Sequence, residues 1–357
     1  MSNQIHICSD DRNPLRLKGR GRHLTIDIHC HMAVRSADAH FCQCTGKPLP
    51  SMPFTSEDSQ QVNRELFKTI ASRLSGLEDR LADMDRLGID IQAISPSPGQ
   101  YFYFTPPELG RDLARLVNDG IAEAVALHPD RLVGLGTVPL QSTELAIAEM
   151  RRAVKDLGLR GIEINSNVNG RDLSDPELRP FFAEAEELGV LLFLHPLGFT
   201  QADRLTEHYL NNLVGNPLES TIALSHLIFG GVLENHPGLK ICVAHGGGYL
   251  PAYRGRMDHA WRVRPDCRRH ISRPPSEYLR KLWFDTLVFD KQQLQALIDA
   301  FGHERLCLGT DYPFDMSEPD PVGFHDGLTD VEQAAILGGN AAALLGLTLP
   351  ADRGDAA

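Results

Sequence analysis

Leu24-Thr25-Ile26-Asp27-Ile28-His29-Cys30-His31 reads as an apolar, β-rich run that ends in chemistry. A strand is predicted over 24–29. With a side-chain period of two, His29 and His31 project to one side, and Ile28 and Cys30 to the other. The same pattern of a short apolar run meeting a turn recurs along the chain. Further strands are expected over 89–95, 132–138, 161–165, 190–195, 240–245, 282–285 and 306–309. Amphipathic segments separate them. One is a helix over 144–157, with Ile147, Met150, Val154 and Leu157 on one stripe, Thr143 as N-cap and Gly158 as its stop. Another runs over 175–188, between Ser174 as N-cap and Gly189 as C-cap. Eight strands with helical crossovers point to an α/β fold closed as a (β/α)8 barrel, not an open sheet.

Working outward, two stretches break the alternation. Residues 33–59, rich in Pro, Ser and Cys, read as a long insertion after the first strand that covers the site. Residues 199–220 read as a second loop-plus-helix region. The organisation expected is an N-terminal extension over 1–23, one barrel domain over 24–349 and a flexible tail over 350–357. The 357 residues are 42% hydrophobic, enough for a large core. Lys plus Arg is 35 against 47 Asp plus Glu, a formal net charge of −12 that argues against nucleic-acid or anionic-membrane partners. No apolar run approaches the ~20 residues that span a bilayer. Residues 1–22 lack the apolar core of a signal peptide. Seven cysteines, an odd number, do not suggest a disulfide framework, and a reduced cytoplasmic compartment is the expected location.

The polar residues at the strand ends carry the functional reading. His195 ends an apolar run before Pro196, His245 precedes Gly246-Gly247-Gly248, and Asp311 lies between Thr310 and Tyr312-Pro313. In a closed parallel barrel all such ends share one face. His29, His31, His195 and Asp311 can then converge on one divalent ion, zinc or similar, with a solvent position left open. His245 has three readings: a fifth ligand, a structural residue, or a general acid/base beside the metal, the last being preferred. The fourth strand, Gly161-Ile162-Glu163-Ile164, has no lysine to bridge two metals, which favours one ion. Cys42 and Cys44 read as plain thiols in a lid, and His226 and His236 as satisfied or solvated residues. No Walker loop, dinucleotide fingerprint or Gly-x-Ser-x-Gly elbow occurs.

The order Asp-x-His-x-His, His-Pro, His-Gly-Gly-Gly, Asp-Tyr-Pro-Phe resembles the amidohydrolase superfamily, in its metal-dependent decarboxylase branch. The likeness is strongest to the α-amino-β-carboxymuconate-ε-semialdehyde decarboxylase family. It is dense in Gly255-Arg256-Met257-Asp258-His259-Ala260-Trp261-Arg262, in Arg273-Pro274-Pro275-Ser276 and in Leu308–Phe314, and it covers about residues 24–347. The resemblance implies a distorted barrel holding one divalent metal, usually zinc and in some relatives manganese. It implies His29, His31, His195 and Asp311 as ligands, with His245 as acid/base residue and Asp311 also part of the catalytic group. Arg256 matches an arginine that enters the neighbouring subunit's site and binds a substrate carboxylate, implying a homodimer. Arg80 falls near a second substrate-binding arginine, or else is a solvated helix-face residue. The implied activity is non-oxidative decarboxylation of a small carboxylate, a ring-cleavage semialdehyde or an aromatic acid. The alternatives are a metal-dependent hydrolase, such as a lactonase, and a non-catalytic metal-binding scaffold.

Overall fold

Eight parallel strands follow one another around a single sheet in chain order. They are β1 (Ile26–Met32), β2 (Ile91–Pro96), β3 (Leu132–Gly136), β4 (Gly161–Asn165), β5 (Leu191–His195), β6 (Lys240–Val243), β7 (Trp283–Asp285) and β8 (Leu306–Cys307). The computed structural model describes residues 23–348. Apart from His23, the expected extension and tail lie outside the described residues. The sheet closes where the chain beyond β8 meets β1: Ile28 N–H donates to Leu308 C=O (2.9 Å) and His31 N–H to Tyr312 C=O (2.8 Å). The result is a (β/α)8 barrel.

The period of two sorts each strand's side chains. Ile91, Ala93, Leu191, Phe193, Cys242 and Ala244 fill the barrel interior, joined by Ala341, Leu344 and Leu345 of the last helix, Asn340–Leu345. Ile94, Ile162, Leu192, Leu194, Val243 and Phe284 face outward into the layer shared with the helices. β1 departs from strict alternation. Asp27 pairs with Gln92 and Cys30 with Ile94, three steps on β1 against two on β2, which is a bulge. The expectation that Ile28 faces away with Cys30 is therefore corrected: Ile28 packs in the interior cluster and Cys30 in the outer one.

Helix ends differ from the expected caps for local reasons. The first expected helix runs Thr143–Lys155, and the Thr143 hydroxyl donates to the Glu177 carbonyl instead of capping. The second begins as a single turn, Pro176–Leu178, capped by the Asp175 side chain, and continues as Arg179–Leu188 to Gly189 in the left-handed conformation. Ser174, expected as the cap, hydrogen-bonds His226 Nδ1 at 2.9 Å. The insertion is more regular than its composition suggests. Helix Arg35–Thr45 buries Ala37 and Phe41, and helix Glu57–Ser75 starts on a Ser56 cap. Cys42 and Cys44 are exposed free thiols. The region after β5 holds short turns at Asp203–Leu205 and Asn211–Gly215 before helix Asn216–Phe229. Among the described residues no helix is long and apolar enough to cross a membrane.

His325 is a buried neutral residue near the top of the barrel, bonded to the Pro321 carbonyl (2.8 Å) and Thr286 Oγ1 (3.1 Å). Burial lowers its pKa from 6.5 to about 4. Between those values the unfolded chain binds the extra proton, so stability is lost as pH falls from about 6.5 to about 4. Denaturant unfolding at several pH values should show His325→Asn removing up to about 3 kcal/mol of that acid-dependent loss.

Candidate metal centre

Four side chains from widely separated strand ends meet at the C-terminal mouth. His29 and His31 come from β1, His195 from the end of β5, and Asp311 from the turn after β8. One ligand atom from each lies within 4.8 Å of every other, and all four residues are buried. Asp311 Oδ1 is 3.5 Å from His29 Nε2 and 3.2 Å from His31 Nε2. The Nε2 atoms of His29, His31 and His195 are buried without a hydrogen-bond partner, a costly arrangement unless something in the centre binds them.

The outer ring nitrogens explain that orientation. His31 Nδ1 lies 2.9 Å from the Pro96 carbonyl, which can only accept, so Nδ1 carries the proton and Nε2 offers its lone pair inward. His29 Nδ1 meets Asp285 Oδ2 at 2.6 Å. His195 Nδ1 lies 3.4 Å from the Tyr101 hydroxyl, which itself donates to Glu163 Oε1 at 2.6 Å. Each imidazole is thus aimed by a partner on its far side, as metal-ligating histidines are. The charges agree. Burial opposes the His29 imidazolium, but Asp311 and Asp285 outweigh it and push the pKa up to about 10. Burial would raise the Asp311 carboxyl, yet the surrounding histidines hold it well below the usual range. Burial and its histidine neighbours keep His195 neutral. Carboxylates on both sides of His29 call for a cation between them, and the donor set of three imidazoles and one carboxylate fits a divalent metal.

His245 stands at the rim of this group. Its Nε2 is 3.7 Å from Asp311 Oδ2, and its ring centre lies 5.1 Å from that of His29 and 5.2 Å from that of His195. Asp311 and His245 both adopt positive φ, +62° and +56°, a strained backbone for non-glycine residues. After His245 the backbone turns sharply. A side chain at Gly248, at φ +66°, would strike the Pro217 carbonyl at 2.2 Å, so only glycine serves there. Gly246 N–H donates to Asp285 Oδ1 at 2.8 Å, tying the His245 turn to the partner of His29.

The amidohydrolase family model matches residues 26–347. This chain belongs to the amidohydrolase family. It is 37% identical over 345 residues to a 2-amino-3-carboxymuconate-6-semialdehyde decarboxylase of Dictyostelium discoideum, covering 91% of this chain and 92% of that one. The 5-carboxyvanillate decarboxylase of Sphingomonas paucimobilis shares its fold with a TM-score of 0.78 and 28% identity, covering 91% and 99% of the two chains. A 5-carboxyvanillate decarboxylase of Novosphingobium aromaticivorans, solved with manganese and 4-hydroxy-3-methoxy-5-nitrobenzoic acid, has a TM-score of 0.80 and 25% identity, covering 94% and 100%. With the donor set above, these findings make the mouth of this amidohydrolase barrel a divalent-metal site.

The two arginines fare differently. Arg256 lies exposed on helix Leu250–Val263. Arg80 is fully buried in helix Glu78–Leu87, with its guanidinium bonded to Gln92 Oε1 and to the His31 and Arg73 carbonyls. The solvated helix-face reading is overturned, and the guanidinium lies behind β1 among those partners. Sequence reading missed Asp285, Tyr101 and Glu163. Asp285 was visible only as the polar end of the seventh strand, and Glu163 only as the residue standing where a lysine was sought.

Asp285→Asn tests the aiming of His29. The amide would present an N–H to His29 Nδ1, driving the ring proton to Nε2 and removing its lone pair from the centre. Chelator competition should show divalent-metal affinity falling about 10- to 100-fold.

Proposed function

We propose that this protein is a metal-dependent, non-oxidative decarboxylase acting on a small conjugated carboxylate, either a ring-cleavage semialdehyde or an aromatic acid. The observation that carries this reading is His245 Nε2 at the rim of a four-residue metal centre, 3.7 Å from Asp311 Oδ2. The likeness to decarboxylases over nine-tenths of the chain supports it. Losing CO2 from an sp2 carbon would leave an unstabilised anion, so that carbon must first become tetrahedral. In the proposed reaction His245 delivers a proton to the carbon bearing the carboxylate. The bond to the carboxyl carbon then breaks, its electron pair returns to the conjugated system, and CO2 departs in place of the added proton. Asp311, ionised by its histidine neighbours, places its Oδ2 3.7 Å from His245 Nε2. When bound, a divalent cation supplies electrostatic stabilisation of negative charge on a substrate oxygen. His29, His31, His195 and Asp311 would hold it, and a set richer in imidazole than carboxylate favours zinc over manganese.

The Arg256 guanidinium, exposed on its helix, makes no hydrogen bond or ion pair to another described residue of its own chain. It is assigned to the neighbouring site of a homodimer, where its fork would grip a substrate carboxylate. A cation and an arginine would make the cavity locally positive in a chain of net charge −12. The unpaired cysteines of the described residues support a cytoplasmic enzyme.

Three measurements test the reading. Zinc- or manganese-loaded protein should release CO2 from 2-amino-3-carboxymuconate-6-semialdehyde or 5-carboxyvanillate. New acid groups without CO2 would instead favour the hydrolase. His245→Ala should retain near-normal metal content while turnover falls about 100-fold or more; metal lost together with activity would make His245 a ligand. Mixing Arg256→Ala with His195→Ala chains should restore part of the activity in verified mixed dimers, and no recovery there would rule out the shared site.

A further inference from the structure

The β1 bulge leaves the chain with a problem of its own. Swinging His29 inward breaks the regular ladder to β2 between Asp27 and Cys30, so the buried His29 N–H loses its strand partner. Asp27 supplies the replacement. Its Oδ1 accepts from His29 N–H (3.1 Å) and from Thr310 N–H (3.1 Å), while Oδ2 accepts from Thr310 Oγ1 (2.7 Å) and Gln92 Nε2 (3.1 Å). One carboxylate therefore grips both the backbone of a ligand histidine and the residue just before Asp311.

That carboxylate has no exposed surface, and a lone buried charge is expensive. Its compensation arrives through Gln92, whose Oε1 accepts from Arg80 Nη1 at 2.8 Å. Arg80 Nη2 donates to the His31 carbonyl, the backbone of the second ligand. The Tyr312 ring lies 5.0 Å from the Arg80 guanidinium, and Tyr312 N–H donates to Thr310 Oγ1 at 3.1 Å. All four members, Asp27, Gln92, Arg80 and Thr310, are buried.

We propose that Asp27, Gln92 and Arg80 form a buried positioning relay that holds the β1 bulge and the Thr310 turn together, and so sets the spacing of His29, His31 and Asp311 for the metal. The inference rests on the metal-site reading above. It replaces the substrate-binding role expected for Arg80 with one exerted through the backbone of His31.

The test uses metal-depleted full-length protein titrated with zinc ion against a chromogenic chelator. The variants are Thr310→Val, Gln92→Leu, Arg80→Lys and Asp27→Asn, and circular dichroism and melting are recorded in parallel. Thr310→Val removes the hydroxyl that donates to Asp27 and accepts from Tyr312 N–H while keeping the packing, so it serves even where Asp27→Asn does not fold. Each folded variant should bind zinc about tenfold or more weakly. Phe181→Leu, a buried change in helix Arg179–Leu188, should lower the melting temperature and leave affinity unchanged. Wild-type affinity in the folded relay variants would overturn the proposal. So would Arg80→Lys raising KM with zinc affinity intact, because that pattern belongs to a substrate contact. Wild-type protein that binds no divalent ion would sink the metal reading itself, and the relay with it.

Discussion

The seam between the first strand and the chain beyond the eighth carries both the closure of the barrel and the geometry of its metal centre. The His29 carbonyl accepts from Asp311 N–H at 2.7 Å and from Thr310 N–H at 3.2 Å, so one ligand residue holds another through the backbone. Ile28 and His31 extend the same seam to Leu308 and Tyr312. Closing a sheet and assembling a coordination sphere are usually separate tasks. Here each requires the other, because the strands that meet last in the sheet bring three of the four ligands.

Electrostatics then settles what such a cluster can hold. Three buried carboxylates, Asp311, Asp285 and Glu163, surround three imidazoles whose inner nitrogens make no hydrogen bond. Burial raises the Glu163 carboxyl, whereas the histidines depress that of Asp311. Negative charge is concentrated on Asp311, beside the three imidazoles, where a small cation fits. An acidic chain thereby obtains a buried centre whose donor set suits a divalent cation.

Much of this was legible in one dimension, because the signals involved are local. Each of the eight apolar runs proved to hold a barrel strand, with 161–165 matching residue for residue, since barrel strands are buried on both faces and read as short, largely apolar runs. Gly189 marked its helix end for the same local reason, a positive φ. What misled was also local. Ser174 and Thr143 have capping chemistry, but tertiary partners at His226 and Glu177 claimed them. The insertion looked irregular by composition and folded partly as helix, because Ala37 and Phe41 found a core to join.

The sequence by itself determined the alternation of strands and crossovers, the barrel it implies, and the residue types waiting at the strand ends. These follow from periodicity and from chemistry carried within a few residues. Only the tertiary structure decided that a bulge turns Ile28 inward beside His29, that Asp285 and Tyr101 aim the imidazoles, and that Arg80 is buried behind β1. Those outcomes depend on hydrogen bonds between residues as far apart as Asp27 and Thr310, and no local pattern records a partner that only folding brings near.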